Sequence, residues 1–484
     1  MADFDKIKIN GVPYNVKDTA TAQAVALVES DLAETQSTVQ QQGQQITQQG
    51  QTIAQQGQQI TQQGERITAE TKAREQADAE LQKQIGSISE TYVNVKKFGA
   101  VGDGKTIDSA AISACLSANA GKRIYFPAGT YLINAPITLP DHTSLIGDGD
   151  STIIKAAPSF SGTCMLQTRI WSPDSVVNED YGYVSLAYIA FDGSYKTDYT
   201  STSETGSGSW DGLHIGGVGP VLDHVSVYNM PYTGISLSDY RTSGYAFPRG
   251  EPLFSNVTSK YNGNHGLFVM NGSHDGEYVN CVIGSNSRAT TNTYHNLVFS
   301  ENNANGRFTN CHFYSDYGEV KPAFSVHIPR GAAPSRFTNC DIEGAANANI
   351  HCGASGTTLV NCYIYSTFGA TLVYIDQPCM FVGCLFGKQA EDSVPASKPP
   401  FAQIATFRDV TSTPLNNVAF LNCRVMQSNA PMVSYQPGRN ASNWIFDING
   451  ESTTNPLNTG SIPTTWKVRW CGSFPTPIYE DTNT

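Results

Sequence analysis

One phrase recurs six times between residues 278 and 425, and it limits the chain to folds built from stacked turns. It reads Tyr278-Val-Asn280-Cys281-Val-Ile283, Phe308-Thr-Asn310-Cys311-His-Phe313 and Phe337-Thr-Asn339-Cys340-Asp-Ile342 in its first three copies. The others are Leu359-Val-Asn361-Cys362-Tyr-Ile364, Phe381-Val-Gly383-Cys384-Leu-Phe386 and Phe420-Leu-Asn422-Cys423-Arg-Val425. The Asn (or Gly) positions lie 30, 29, 22, 22 and 39 residues apart.

Within the phrase, the large apolar residue stands two before the Asn, Cys stands one after it, and a second apolar residue stands three after it. A strand alternates faces with period 2, so inward parity flips at the Asn and the chain bends there. Asn is the non-glycine residue that most readily takes the left-handed conformation of a tight bend, and Gly383 suits the same slot. Turns of this kind stack into an all-β fold, a right-handed parallel β-helix, with rungs about 4.8 Å apart. A leucine-rich repeat would also stack, but its Leu-rich phrase is absent.

The same ladder accounts for the cysteines. Six of the eleven fall on one inward position, where small polarizable side chains pack well as thiols. Cys115, Cys164, Cys352, Cys379 and Cys471 show no CxxC or Cys/His metal spacing. With 30 basic and 42 acidic residues the net charge is −12, which disfavours nucleic acid as a partner. Residues 1–10 lack a basic segment followed by an apolar core, and no stretch reaches the length of a membrane span.

Ahead of the repeats, two short alternating runs flank Asn10-Gly11, a strong hairpin signal over residues 1–18. Residues 19–91 then read as an α-helical coiled-coil stalk, with Leu32, Val39, Ile46, Ile53, Ile60 and Ile67 spaced by seven, then Arg74, then Leu81. Each heptad from 43 to 64 pairs one strong apolar residue with a Gly in a Gln-rich background. Gly costs about 1 kcal/mol relative to Ala in a helix, so such a helix needs other chains beside it. Disorder of the Gln-rich segment is the competing reading.

A new domain opens at Tyr92 with Phe98-Gly-Ala-Val-Gly-Asp103-Gly-Lys-Thr106-Ile-Asp108, followed by an amphipathic helix near 108–118. Ile124-Tyr-Phe-Pro127-Ala-Gly129-Thr-Tyr131 and Leu145-Ile-Gly147-Asp148-Gly149 come next. In that order these segments closely resemble the opening of the pectate-lyase-like β-helix domains of bacteriophage tailspikes and preneck appendages. One departure is the single Asp108 after Ile107, where the family usually has two acids. The resemblance covers roughly residues 92–450, with 451–484 as a C-terminal cap or tail. It implies a homotrimer anchored to a virion tail by its N-terminus, made in the host cytoplasm and released by lysis. It also implies contact with a host-surface polysaccharide.

Two insertions interrupt the solenoid and carry aromatic and charged residues suited to glycan binding: Tyr195, Tyr199 and Trp210 in the first, Tyr240, Arg241, Tyr245 and Arg249 in the second. Packing of these rings as loop anchors or at a subunit interface is the alternative. Polygalacturonase-like relatives place carboxylates and a His on successive rungs. Here Asp211 and His265 occupy matching phrases, but Tyr232 and Thr233 replace the acid pair. Glycoside hydrolysis generally needs two carboxyl groups, which leaves Asp211 with Asp239, or Asp341 with Glu343 on one outward strand face, His312 lying on a neighbouring rung. A lyase would call for an Arg base and acid-bound calcium, the single cofactor in view, and Glu277, Arg307 and Arg336 form an outward charge ladder. Three functions stay open: a receptor-binding protein, which the residues favour, a polysaccharide depolymerase on the same scaffold, or a structural fibre spacer.

Overall fold

The computed structural model describes residues 6–15, 19–168 and, with gaps, 183–471; the segments 169–182, 196–208, 238–250 and 388–402 are among those outside the described residues. It divides into two compact units, 1–88 and 89–484. In the first unit, strands Lys6–Ile9 and Val12–Asn15 pair antiparallel around Asn10 and Gly11, at φ of 52° and 83°. Positive φ at both turn residues matches the twist of a two-residue hairpin. A single helix follows, Thr19–Thr91, about 110 Å long at 1.5 Å per residue. Its heptad side chains stand in the open, with Ile46, Ile53 and Ile60 at 67–68% exposure.

The second unit is a parallel β-helix. Its rungs contribute to three parallel sheets, the third having 12 strands in order along the axis. The first sheet stacks Phe254, Tyr278, Phe308, Phe337, Leu359, Phe381 and Phe420 in register, all facing the core. Tyr278, Phe308 and Phe337 lie ring on ring, with centroids 4.4 and 4.9 Å apart. The second sheet stacks Ile283, Phe313, Ile342, Ile364 and Phe386, and the third stacks Leu267, Leu297, Val326, Ile350 and Val373. One continuous apolar core results.

The bend between the first and second sheets lies where the repeated phrase places it. Asn280, Asn310, Asn339, Asn361, Gly383 and Asn422 all have φ between 50° and 62°. Each Cys thiol one residue later donates to a carbonyl of the preceding rung, as Cys340 does to Phe308 O at 3.5 Å and Cys362 to Phe337 O at 3.5 Å. All ten cysteines with described side chains are free and buried. The column also reaches three rungs further upstream than the phrase, through Tyr188, His224 and Asn256, again at φ of 51° to 55°. There Ile189, Val225 and Val257 occupy the thiol's place, and the Tyr188 and His224 rings stack at 4.7 Å.

A second corner, between the second and third sheets, is held by a buried asparagine ladder. Asn262 Nδ2 donates to Asn286 Oδ1 at 2.9 Å, and Asn286 Nδ2 to Asn296 Oδ1 at 3.0 Å. The same carbonyl oxygens accept the main-chain N–H groups of Asn262 and Asn286, so polar groups shut inside the corner are satisfied.

The opening segment caps the solenoid core. Helix Ser109–Ala118 buries Ile112, Cys115 and Leu116 in that core. The acids of the opening motif are structural: Asp108 accepts the N–H groups of Val101 and Gly102 at 2.7 and 3.1 Å, and Asp148 accepts Ala128 N–H at 2.9 Å. Among the described residues no helix is long and apolar enough to cross a membrane.

Candidate functional site

Alternation along strand Asp341–Glu343 turns both acids to the outer face of the second sheet, with Ile342 buried between them. Register places His312 opposite Asp341 on one neighbouring rung, and Tyr363 and Tyr365 opposite Asp341 and Glu343 on the other. Glu343 Oε1 accepts the Tyr365 hydroxyl at 2.9 Å and lies 3.2 Å from His312 Nε2. Two ring pairs wall the cluster: Tyr363 on Tyr365 at 3.9 Å and His312 on Tyr314 at 4.7 Å. Partial burial pushes the Asp341 carboxyl up from its ordinary value, the Glu343 charge adding to this and His312 opposing it. Tyr365 is pushed far up by burial and by Glu343, so it stays a hydroxyl donor. Two carboxyls on one face thus have different surroundings, Glu343 held by Tyr365 and His312 and Asp341 exposed.

Asp211 and His265 stand in one column of the third sheet, with Thr233 on the rung between them. Both oxygens of Asp211 are occupied: Oδ1 accepts Thr233 N–H at 2.9 Å, while Oδ2 accepts Ser236 Oγ–H at 3.1 Å and lies 2.8 Å from His214 Nε2. His265 Nδ1 accepts the main-chain N–H of His295 at 3.1 Å, which puts the ring proton on Nε2. Burial lowers His265 to about 4, with Asp211 opposing, so the ring is neutral near pH 7. The pair therefore lacks a protonated imidazole and a bare carboxylate.

Of the expected glycan-binding residues, Trp210 is a correction. It is only 6% exposed and packs on Phe160 at 4.6 Å, because the chain turns inward just before strand Asp211–Ile215. No ring face is left for a sugar. Tyr195 is half-buried, its N–H bonded to Asn229 O at 2.9 Å. Tyr199, Asp239, Tyr240, Arg241, Tyr245 and Arg249 lie outside the described residues. Arg307 reaches Glu277 at 3.4 Å and Asp275 at 3.5 Å on the exposed first sheet, a solvated charge ladder of little energetic weight. Among the described residues, no group of three or more His, Cys, Asp or Glu is arranged to hold a metal.

Sequence reasoning named His265 but missed the other histidines of the third sheet. Three of the nine in the chain, His214, His327 and His351, stand on its outer face, and His265 and His295 sit at the strand entries two residues before inward Leu267 and Leu297, with the His295 ring stacked on His327 at 4.3 Å. Their separations follow the length of each rung's loops, so no fixed spacing reveals them.

Residues 92–208 match the family described as rhamnogalacturonase A/epimerase, pectate lyase-like. That segment carries a pectate-lyase-like domain. The chain is 22% identical over 374 residues to a capsule K8-specific depolymerase of Klebsiella phage K5-4, covering 76% of this chain and 45% of the relative. It is 34% identical over 71 residues to the pre-neck appendage protein of Bacillus phage B103, covering 14% of this chain and 8% of that one. The A-module of a mannuronan C-5 epimerase from Azotobacter vinelandii has the same fold, with a TM-score of 0.52 at 15% identity over 79% of this chain and all of the module. A likeness to a phage capsule depolymerase and a phage pre-neck appendage protein is thus present in sequence, and the chain spans less than half the length of these two phage relatives.

Proposed function

We propose that this chain is a tailspike-type protein of a phage virion that attaches to a bacterial surface polysaccharide and hydrolyses it at the acids of the second sheet. The observation that carries the reading is Glu343 held between His312 and Tyr365, with the Asp341 carboxyl pushed up beside it. Residues i and i+2 of a strand have backbones roughly 6–7 Å apart, within reach of the carboxyl separation of about 6.5–9.5 Å in inverting glycosidases. In this reading Asp341 is the acid that gives a proton to the glycosidic oxygen as that bond breaks. Glu343 takes a proton from the water that attacks the sugar carbon from the other side, while Tyr365 and His312 fix its orientation. The route asks for no cofactor. Alignment with a phage capsule depolymerase over most of the chain supports a polysaccharide as the substrate class.

The open heptad seam of the N-terminal helix supports assembly of several identical chains; three chains, with the hairpin as the virion anchor, is what the resemblance to phage fibres implies. The binding-only alternative keeps the same surface without chemistry. The test is to incubate the protein with capsular polysaccharides of several bacterial serotypes and follow polymer length by size-exclusion chromatography. Shortened chains without absorbance of unsaturated uronates, abolished by Glu343→Gln, are expected. That absorbance would replace hydrolysis by elimination, and co-elution without shortening would leave attachment alone.

A further inference from the structure

The seam of helix Thr19–Thr91 is so regular over its middle that it fixes no alignment between neighbouring chains. Four heptads are almost one phrase: Gly43-Gln-Gln-Ile46-Thr-Gln-Gln, Gly50-Gln-Thr-Ile53-Ala-Gln-Gln, Gly57-Gln-Gln-Ile60-Thr-Gln-Gln and Gly64-Glu-Arg-Ile67-Thr. Their Ile side chains stand 64–68% exposed. Thr47, Thr61 and Thr68 spend their hydroxyl protons on their own helix, donating to the carbonyls of Gly43, Gly57 and Gly64 at 2.9, 3.0 and 2.8 Å. A slip of one heptad moves a neighbour by about 10 Å at 1.5 Å per residue. It sets Ile46 beside Ile53, Ile53 beside Ile60 and Ile60 beside Ile67, and upstream Leu32 beside Val39. Apolar contact is non-directional, so these heptads attract other chains without choosing among such alignments.

One seam position differs. Arg74 stands where the period of seven calls for an apolar residue, between Ile67 and Leu81. Its Nη2 donates to Glu70 Oε1, one turn earlier on the same face, at 2.9 Å. Both side chains are mostly exposed in the single chain, at 77% and 65%, where such a pair adds little stability. Between chains it discriminates. Helical side chains lean toward the N-terminus, so in a parallel assembly in register each Arg74 reaches the level of a neighbour's Glu70, and the layer holds as many carboxylates as guanidiniums. A slip of one heptad sets Arg74 of one chain against Ile67 or Leu81 of the next. It also brings the neighbour's Glu70 to the level of residue 77, away from where the guanidinium points. An antiparallel pair centred on the same charges would face Ile67 with Ala77 and Ile60 with Gln84, and would leave residues 19–52 uncovered.

We propose that the Glu70–Arg74 pair is the register lock of a parallel assembly of this chain. The repeated Ile seam supplies the attraction, and the one charged layer makes a single alignment better than its slipped neighbours. The inference rests on the reading of the seam as self-assembling, and it is independent of any glycan chemistry. It commits the partner to further copies of this chain running in the same direction. A polar residue at a single seam position specifies register at a cost in stability. The lock is therefore dispensable for assembly and necessary for alignment.

The test uses the full chain. Two versions of different mass, one carrying Ile53→Cys and the other Ile60→Cys, are co-expressed and oxidised, and cross-linked pairs are resolved on a non-reducing gel. The unsubstituted chain, whose described thiols are all buried, is the control. With Arg74 in place, thiols introduced at the same position cross-link and mixed pairs are rare. Arg74→Ile in both versions raises the mixed pairs by about fivefold or more while sedimentation shows the assembly intact, and Arg74→Lys, which keeps the charge, leaves them rare. Mixed pairs as common with Arg74 as with Arg74→Ile overturn the lock and leave self-assembly standing, and so do mixed pairs that stay rare in Arg74→Ile. Same-position pairs missing from an assembled protein overturn the parallel arrangement. A chain that sediments as a monomer overturns the lock and the assembly reading together.

Discussion

The bend column of the first sheet and the outer column of the third run along the same solenoid, rung for rung, yet they are written differently. At the bend, Asn and Cys recur because every rung makes the same demand: a left-handed residue, then a small inward side chain. Along the third sheet the outer positions read His214, Ser236, Phe268, Val298, His327, His351 and Tyr374, with no residue type carried through. Stacking imposes no such variety. Repetition in this chain thus marks what the backbone requires, and its loss marks surfaces shaped by something outside the fold.

The strongest way to break that contrast is in the core of the repeat. Phe337 stacks on Phe308 at 4.9 Å and is fully buried. Phe337→Ala should cost about 3–5 kcal/mol, read as a lowered midpoint in urea unfolding. A cost near zero would mean that neighbouring rungs close over the gap, and the column would not be the rigid element described.

Acid tests the histidines at the entries of the third sheet's strands. His265 sits at about 4 and His295 well below its ordinary 6.5, both because burial penalises the charged ring. The unfolded chain binds these protons near pH 6.5 and the folded one does not, so stability should fall as pH drops from about 6.5 toward 4. For His265 the loss is on the order of 2 kcal/mol by pH 4.5, at about 1.4 kcal/mol per unit. Thermal melts at pH 7, 5.5 and 4.5 check it, and His295→Phe should flatten the profile. An unchanged slope in that variant would mean that His295 has no part in the acid response, which His265 and the carboxylates would then set.

How much of this was legible follows the same division. The six bends, the inward thiols and the outward Asp341 and Glu343 could be read because a dihedral or a period of two ties them to sequence offsets. The three upstream bends could not, since Tyr188 and His224 stand where the phrase has Asn, and Ile189, Val225 and Val257 replace the thiol. The buried ladder of Asn262, Asn286 and Asn296 was hidden because their separations, 24 and 10 residues, follow loop lengths. Trp210 misled for a different reason: an aromatic beside a Ser/Gly-rich loop reads as exposed, and only packing shows that it turns inward.

Asn339→Val sharpens the bend itself. At φ of 54° a β-branched side chain is strained, by roughly 1–3 kcal/mol. The companion Asn339→Gly should be nearly neutral, since Gly383 already fills this slot at 62°. Equal unfolding midpoints for the Val and Gly variants would show that the side chain of Asn, and not its backbone freedom, is what the column selects.

The smallest effect separates size from chemistry at the thiol position. Cys340 donates to Phe308 O at 3.5 Å, and the adjacent Cys311 thiol together with burial holds its pKa up at about 12, so it is an unreactive S–H. Its counterpart two rungs upstream of Cys311 is Val257, fully buried, with no thiol to give. If the position asks only for a small inward side chain, Cys340→Val should change the unfolding free energy by less than about 1.5 kcal/mol, as volume-conserving swaps do. If the thiol's bond to the carbonyl matters, the loss would exceed that, and Cys340→Ser, which can still donate, would recover part of it. Urea midpoints of the two variants decide the matter. A destabilised Val variant rescued by Ser would make the column a hydrogen-bonded ladder, and Val257 the rung where the chain goes without one.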